Sequence, residues 1–214
     1  DAYFLRGSAE LELGDYESAK ADFDKAISME PKNYNRLIEI DEALADYGYR
    51  EVGQEYLQNV LNTEKKLDAY DSGRIYYYLG DYQKAYLALE EAKGKGGVDS
   101  YLYLGKAYAA TGDYNYASSV YSNYLSKQGP DAEIYNQLGL CEMAKKDYQK
   151  ALEAFQAGKQ IEGNSLMQTL SFNEIVAYEY LQDYQKAAVL LKAYLQNYPD
   201  DQAAIREQQF LSTR

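Results

Sequence analysis

The sequence contains no histidine and no tryptophan, and Cys141 is its single cysteine among 214 residues. The absence of histidine excludes a Ser-His-Asp triad, imidazole-ligated zinc and a histidine general base. One cysteine excludes an internal disulfide, and without a histidine to activate it Cys141 is predicted to be a small buried apolar side chain. Composition therefore excludes most familiar enzyme chemistry.

Proline and positive charge are also scarce. Only 3 prolines interrupt the chain, and helix-forming residues make up much of the rest, which favours helix over sheet. The 34 acidic residues outnumber the 22 basic ones, and the formal net charge is −12. Because proteins bind nucleic acid through basic side chains that displace counterions from phosphate, we expect no nucleic acid partner.

No run of residues approaches the roughly 18 apolar positions of a membrane-spanning helix, so we expect no membrane insertion by this segment. The chain begins at Asp1, without an initiator Met, inside what reads as the first turn of a helix. This start suggests that an upstream segment has been removed, where any secretion signal or lipid anchor would have stood. We expect a bacterial protein, located either in the cell envelope or in the cytoplasm.

A short phrase recurs along the chain. It reads Gly-Asp-Tyr at residues 14–16, 80–82 and 112–114, and Asp-Tyr at 147–148 and 183–184, with a decayed copy at 48–49. A small residue follows each tyrosine by three or four positions, and a large apolar residue lies four positions further on. The small residues are Ala19, Gly53, Ala85, Ala117, Ala151 and Ala187. Their spacings of 34, 32, 32, 34 and 36 indicate six copies of one unit.

Each unit is predicted to be a pair of helices. In the fourth unit, apolar residues recur at i, i+3, i+4 and i+7 before and again after the phrase at 112–114. The glycine of the phrase is predicted to end the first helix in a left-handed conformation, and the aspartate to cap the second. Where Lys146 and Gln182 replace that glycine, we expect a different turn, because left-handed backbone costs such residues roughly 1–2 kcal/mol.

These units resemble the tetratricopeptide repeat. The first unit carries the family's pattern of aromatic, glycine, alanine and closing proline at Tyr3, Gly7, Gly14, Tyr16, Ala19, Phe23, Ala26 and Pro31. The second and sixth units depart from it, since Asp41 and Ile175 stand where a glycine is expected at the helix crossing. The resemblance implies an all-α fold of the α-α superhelix class, a right-handed solenoid of about six helix-turn-helix repeats with a C-terminal capping helix.

The predicted organisation is a single array over residues 1–214. Its repeats are predicted at 1–32, 33–66, 67–97, 98–130, 131–164 and 165–199. A capping helix over 200–214 is predicted to turn Ala203, Ala204, Ile205, Phe210 and Leu211 toward the last repeat. The glycine-rich stretch 94–97 is predicted to be a tight turn between repeats.

The resemblance implies a non-catalytic scaffold that binds a peptide or partner helix in a concave groove lined by the first helices. Helical spacing beside the packing face selects the groove residues, and in the sixth unit the same line ends at Glu179. The candidate groove residues are Phe4, Ile38, Tyr70, Arg74, Tyr77, Leu102, Lys106, Asn136, Leu140, Phe172 and Asn173. Since Phe4 and Ser8 stand where the family's carboxylate clamp needs Lys and Asn, we expect a ligand that is mostly apolar and uncharged or basic.

Two alternatives remain open. The chain is either a self-associating structural module of a larger cell-envelope protein or, more remotely, a hydrolase that uses carboxylate pairs. Those pairs are Glu39 and Glu42, Glu90 and Glu91, and Asp200 and Asp201. The second helix of the fourth unit is predicted to have a polar outer face, formed by Asn115, Ser118, Ser119 and Ser122, which argues against a large convex interface. We expect no enzyme activity, no cofactor, no metal, and a monomer or weak homodimer.

Overall fold

The computed structural model describes residues 2–95 and 97–213. Within these residues the chain forms thirteen α-helices and no strands, which confirms the all-α prediction. The helices are α1 (Ala2–Glu12), α2 (Tyr16–Met29), α3 (Tyr34–Asp46), α4 (Arg50–Thr63), α5 (Ala69–Tyr78), α6 (Tyr82–Ala92), α7 (Val98–Ala110), α8 (Tyr114–Gln128), α9 (Ala132–Ala144), α10 (Tyr148–Lys159), α11 (Met167–Tyr180), α12 (Tyr184–Asn197) and α13 (Gln202–Leu211).

The helices belong to two compact units, over residues 1–95 and 96–214. The first unit holds the pairs α1/α2, α3/α4 and α5/α6. The second holds α7/α8, α9/α10 and α11/α12, followed by α13. The division falls in the glycine-rich stretch 94–97, of which Gly96 lies outside the described residues. One continuous array over the whole chain stays a prediction.

The turn is formed as predicted in the three helix pairs that carry the complete Gly-Asp-Tyr phrase. Gly112 has a φ of 83°, and the carboxylate of Asp113 accepts a hydrogen bond from the backbone N–H of Tyr116 at the start of α8. Lys146 and Gln182 adopt the same left-handed conformation, with φ values of 64° and 62°, so the expectation of a different turn there is wrong. The aspartate cap and the backbone bond from Lys146 to Met143, at 2.9 Å, hold the same geometry as at Gly112.

Glycines allow the two helices of a pair to approach closely. Gly139 on α9 lies against Phe155 on α10, and a Cβ at this glycine would overlap the phenyl ring. Gly105 has the same relation to the ring of Tyr121. Both aromatic side chains are almost fully buried. The crossing is therefore formed by a small residue on the first helix and a large one on the second.

The second helix pair reverses this arrangement. Asp41 occupies the glycine position on α3, and Gly53 occupies the alanine position on α4. A Cβ at Gly53 would overlap the Asp41 side chain, which is 1% exposed. Because Gly53 has no side chain, α4 leaves the space that the Asp41 side chain of α3 fills.

The capping helix is present, but its buried face is narrower than predicted. Ala204 and Leu211 are buried, seven residues apart on one face of α13. Ala203 is exposed, since it lies one residue, or about 100° of helical turn, away from that face. Phe210 is 40% exposed but lies beside Tyr180 and Tyr184 of the last repeat. The outer face of α8 also differs, because Ser118 is buried and Tyr116 is exposed.

Candidate functional site

The first helices of the N-terminal unit are joined by a cationic side chain on α5. The Arg74 guanidinium donates hydrogen bonds of 2.6 Å to Asn35 on α3 and to Asp71 one turn away. Its central carbon lies 4.3 Å from the centroid of the Tyr70 ring. Arg74 is therefore buried and contributes to the contact between α3 and α5.

The other predicted groove residues of this unit differ in exposure. Ile38 is buried in the core with Leu57 and Ile75. Phe4, Tyr70 and Tyr77 are half-buried, and the Arg36 guanidinium lies over the Phe4 ring at 4.2 Å. The accessible part of the predicted line in this unit is therefore mainly aromatic.

The first helices of the C-terminal unit are joined by two polar contacts. Asn173 on α11 donates a 2.9 Å hydrogen bond to Asn136 on α9, which is buried. The Lys106 ammonium on α7 lies 3.6 Å from the Glu133 carboxylate on α9. These polar side chains connect α7 to α9 and α9 to α11.

The apolar groove residues of this unit are more accessible. Leu140 on α9 is 42% exposed. Leu102 on α7 and Phe172 on α11 are half-buried, and the Phe172 ring packs against Tyr194 with centroids 5.7 Å apart. Three successive first helices thus each carry an accessible or partly accessible large apolar side chain.

A recess lies among the last three helices of the C-terminal unit. It has a volume of about 520 Å³, and we call it the C-terminal recess. Its lining residues are Glu179, Tyr180, Tyr184, Glu207 and Phe210. Burial raises the pKa of Glu179 to about 7, and the neighbouring Glu207 carboxylate adds to the rise.

The sequence places Glu179 on the groove line and Phe210 against the last repeat, but does not predict the other three residues of the recess. The sequence signal that could have indicated the recess is the group of acidic and aromatic residues near Tyr180. Phe210 is predicted to face the last repeat and does so in the recess, whereas Glu207 is not predicted to lie there.

The other candidate reactive groups Cys141, Glu42 and Asp201 are buried or hydrogen-bonded within the fold. Cys141 is 3% exposed, and burial raises the pKa of its thiol to about 12, which keeps it protonated. Glu42 accepts a 2.6 Å hydrogen bond from the Tyr78 hydroxyl, and Asp201 caps α13.

Across residues 2–95 and 97–213, no group of three or more Cys, Asp or Glu residues is placed to hold a metal ion. In the same part of the chain, no helix has the length and apolar character needed to cross a membrane.

Paired helices with capped turns and glycine crossings define a helical-repeat protein. The chain belongs to the tetratricopeptide repeat family, whose sequence profiles match residues 1–33, 102–165 and 172–201. Together these segments cover more than half of the chain. Proteins of this family commonly mediate protein–protein interactions.

Solved structures share the fold. The structure of PilW, described as a widely conserved type IV pilus biogenesis factor, matches with a TM-score of 0.68 and 16% identity, over 98% of this chain and 96% of that one. YrrB, described as a TPR protein with an unusual peptide-binding site, has a TM-score of 0.57 and 20% identity, over 87% and 97%. PilF of Pseudomonas aeruginosa has a TM-score of 0.57 and 17% identity, over 100% and 97%. At such identities the likeness concerns the fold alone. No curated protein matches the chain.

Proposed function

We propose that this chain is a non-catalytic scaffold that binds a peptide or a partner helix along its first helices. The observation that carries the proposal is the exposure of Leu140, 42% accessible on α9 between the half-buried Leu102 and Phe172 of the adjoining repeats. A single exposed leucine is common on protein surfaces. Leu102 and Phe172 occupy the same repeat position, and Leu140 lies one helical turn further along the same line of α9. Apolar side chains on one line of three successive helices are typical of a binding surface.

The polar side chains on and next to this line support an apolar ligand. Asn136 is paired with Asn173, and Lys106 lies near Glu133, so these groups already have partners within the unit. Side chains that are held before binding lose little conformational entropy when a ligand arrives. The ligand would therefore gain affinity mainly by covering Leu102, Leu140 and Phe172.

The charge of the chain supports a ligand that is uncharged or basic. A net charge of −12 repels an acidic segment, and a basic one is attracted. In the N-terminal unit, Phe4, Tyr70 and Tyr77 offer aromatic surface of the kind that anchors bound peptides. YrrB, which shares the fold, is described as having a peptide-binding site, and this is consistent with the same class of ligand here.

The test uses a phage-displayed library of random peptides, selected against the full chain. We expect Leu140→Glu to weaken binding of the selected peptides by about tenfold or more, since it places a charge in the apolar line. Val189→Glu is the matched control, because Val189 is an equally apolar residue, 63% exposed on the second helix α12. Fluorescence anisotropy with the selected peptides measures both variants.

Two results would contradict the proposal. One is a set of selected peptides that bind Leu140→Glu and the unchanged chain equally. The other is a loss of binding in Val189→Glu, which would place the site on the second helices. Tyr77→Glu applies the same test to peptides that bind the N-terminal unit.

Self-association is the second candidate function, and it is favoured by the exposed apolar side chains of α1 and the turn that follows it. Leu5 is 65% exposed and Leu13 is 85% exposed. With the small Ala9 between them, they recur every fourth residue along the chain. If a second copy covers this face, sedimentation velocity at micromolar concentration detects a dimer that Leu5→Glu dissociates. A monomer at every concentration would exclude this function.

A further inference from the structure

The C-terminal recess combines two carboxyl groups with three aromatic rings. Glu179 and Tyr180 come from the end of α11, Tyr184 from the start of α12, and Glu207 and Phe210 from α13. All belong to the C-terminal unit. The volume of about 520 Å³ is large enough for a whole amino-acid side chain.

The two carboxyl groups lie next to each other in the recess, and Glu207 raises the pKa of Glu179 both by its charge and by a side-chain hydrogen bond. No basic side chain is among the described residues that line it. One oxygen of Glu179, Oε1, is buried without a hydrogen-bond partner. The facing titratable groups are Glu207 on α13 and the phenols of Tyr180 and Tyr184. When both carboxylates are ionised, the recess therefore concentrates negative charge.

The rings add a second attraction for the same type of ligand. The face of an aromatic ring carries negative partial charge and attracts a guanidinium or ammonium group. Tyr180 is stacked on Tyr148 of α10, with ring centroids 4.9 Å apart, so its ring is positioned before any ligand binds. Carboxylates next to aromatic faces form a suitable environment for an organic cation.

We propose that the C-terminal recess binds the guanidinium or ammonium group of an arginine or lysine side chain of the bound polypeptide. This inference rests on the proposed function and adds the chemistry of one subsite. Glu179 lies seven residues after Phe172 on α11, which corresponds to about 10 Å along the helix. We therefore expect a basic residue about three positions from an apolar anchor in an extended ligand, or about seven positions in a helical one.

The first experiment tests the recess alone, with small probes. The full chain, labelled with nitrogen-15, is titrated with N-acetyl-argininamide and with its neutral analogue N-acetyl-citrullinamide at pH 8. We expect argininamide to shift the amide signals of residues at the end of α11 and in α13, with a Kd about tenfold lower than that of citrullinamide. Equal shifts from both probes, or shifts spread over the acidic surface, would overturn the cation site.

Variants and pH provide the second measurement. Glu207→Gln and Phe210→Ala should each raise the Kd for argininamide severalfold. Their matched controls, Glu162→Gln and Val189→Ala, change exposed residues of the same unit outside the recess and should leave the Kd unchanged. Because Glu179 has a pKa of about 7, lowering the pH from 8 to 6 protonates it, and the Kd should rise about tenfold. A Kd that none of these changes alters would overturn the proposal.

The third measurement asks whether the cation belongs to a polypeptide. Peptides selected against the unchanged chain should be enriched in Arg or Lys at the expected spacing from an apolar residue. Peptides selected against the double variant Glu207→Gln/Phe210→Ala should lose that enrichment. If argininamide binds but the selected peptides are not enriched, the site takes free small cations and the polypeptide ligand is overturned. Failure of the proposed function is detected separately, by comparing peptide binding to Leu140→Glu with peptide binding to the unchanged chain.

Discussion

At the scale of single residues, Asp41 is an acid buried at the crossing of two helices. It is 1% exposed, and its Oδ1 atom has no hydrogen-bond partner. Burial raises the pKa of its carboxyl to about 6, although the positive charge of Arg50 partly opposes the rise. The folded chain therefore holds a proton at Asp41 more tightly than the unfolded chain does.

This shift predicts a stability that falls with increasing pH. Between about pH 4 and pH 6 the folded state binds more protons at this site than the unfolded state, so stability is lost as the pH rises through that window. Asp41→Asn removes the titration. Its stability relative to the unchanged chain should increase by about 1–3 kcal/mol from pH 4 to pH 7.5, measured by urea unfolding.

The control for this prediction is Asp46→Asn, which removes an exposed carboxylate from the end of the same helix. Its stability relative to the unchanged chain should hardly depend on pH. Parallel pH profiles for Asp41→Asn and the unchanged chain would show that Asp41 is solvated in the folded state.

Lys146 supplies a second prediction at this scale. Its φ of 64° strains a residue with a Cβ by roughly 1–2 kcal/mol, whereas glycine adopts this conformation freely. Because glycine also loses more conformational entropy on folding, the net gain from Lys146→Gly should be about 0.5–1 kcal/mol. Thermal unfolding measures the gain, and Gly112→Ala, at the equivalent turn with a φ of 83°, should be destabilised. A lower melting temperature for Lys146→Gly would contradict this account.

At the scale of helices and turns, the sequence predicts most of the fold because its signals are local. A glycine followed by a capping aspartate is recognised from neighbouring positions and predicts the helix pairs, whereas the left-handed conformation of Lys146 and Gln182 is not predicted. The sequence does not predict that the second pair places its glycine on the second helix, at Gly53, and a larger residue, Asp41, on the first. This arrangement depends on the combined size of two residues on different helices. The face of α13 was predicted only in part, because the apolar spacing selects Phe210 and Leu211 but not the polar Glu207, which also lines the recess.

The glycine crossing gives the prediction at this scale. A Cβ at Gly139 would overlap the ring of Phe155, so Gly139→Ala should destabilise the chain by about 1–3 kcal/mol, despite the higher helix propensity of alanine. Phe155→Ala should cost about 3–5 kcal/mol, because the side chain is 1% exposed and its removal leaves a cavity. Urea unfolding measures both variants.

Gly158→Ala is the matched control for Gly139→Ala. Gly158 is also a buried helical glycine, but a Cβ there would stand 3.1 Å from Leu170 and 3.2 Å from the Cβ of Tyr135, whereas at Gly139 it would stand 2.3 Å from the Phe155 ring. Its stability should change little. If both alanine variants behave alike, close approach of the helices is not the reason for the glycine at 139.

At the scale of the whole molecule, the sequence predicts the class of function better than the details of the site. Helical spacing selects one line on each first helix, but it does not tell which side chains the adjoining repeat covers. Arg74 bonds a residue of the preceding first helix, 39 positions earlier, and Asn136 bonds one of the following first helix, 37 positions later. The C-terminal recess needs three helices, so only the folded chain brings its residues together.

Net charge leads to the last prediction. With a charge of −12, the chain should attract basic peptides over a distance set by the Debye length, about 14 Å at 50 mM salt and 4 Å at 500 mM. Raising the salt over this range should slow association of a basic selected peptide by about tenfold and change its dissociation rate much less. Stopped-flow fluorescence separates the two rates. A selected peptide whose basic residues are replaced by glutamine is the control, and its association rate should hardly change. If salt instead accelerates dissociation and leaves association unchanged, short-range contacts such as those of the recess dominate the electrostatics of binding, and the overall charge contributes little.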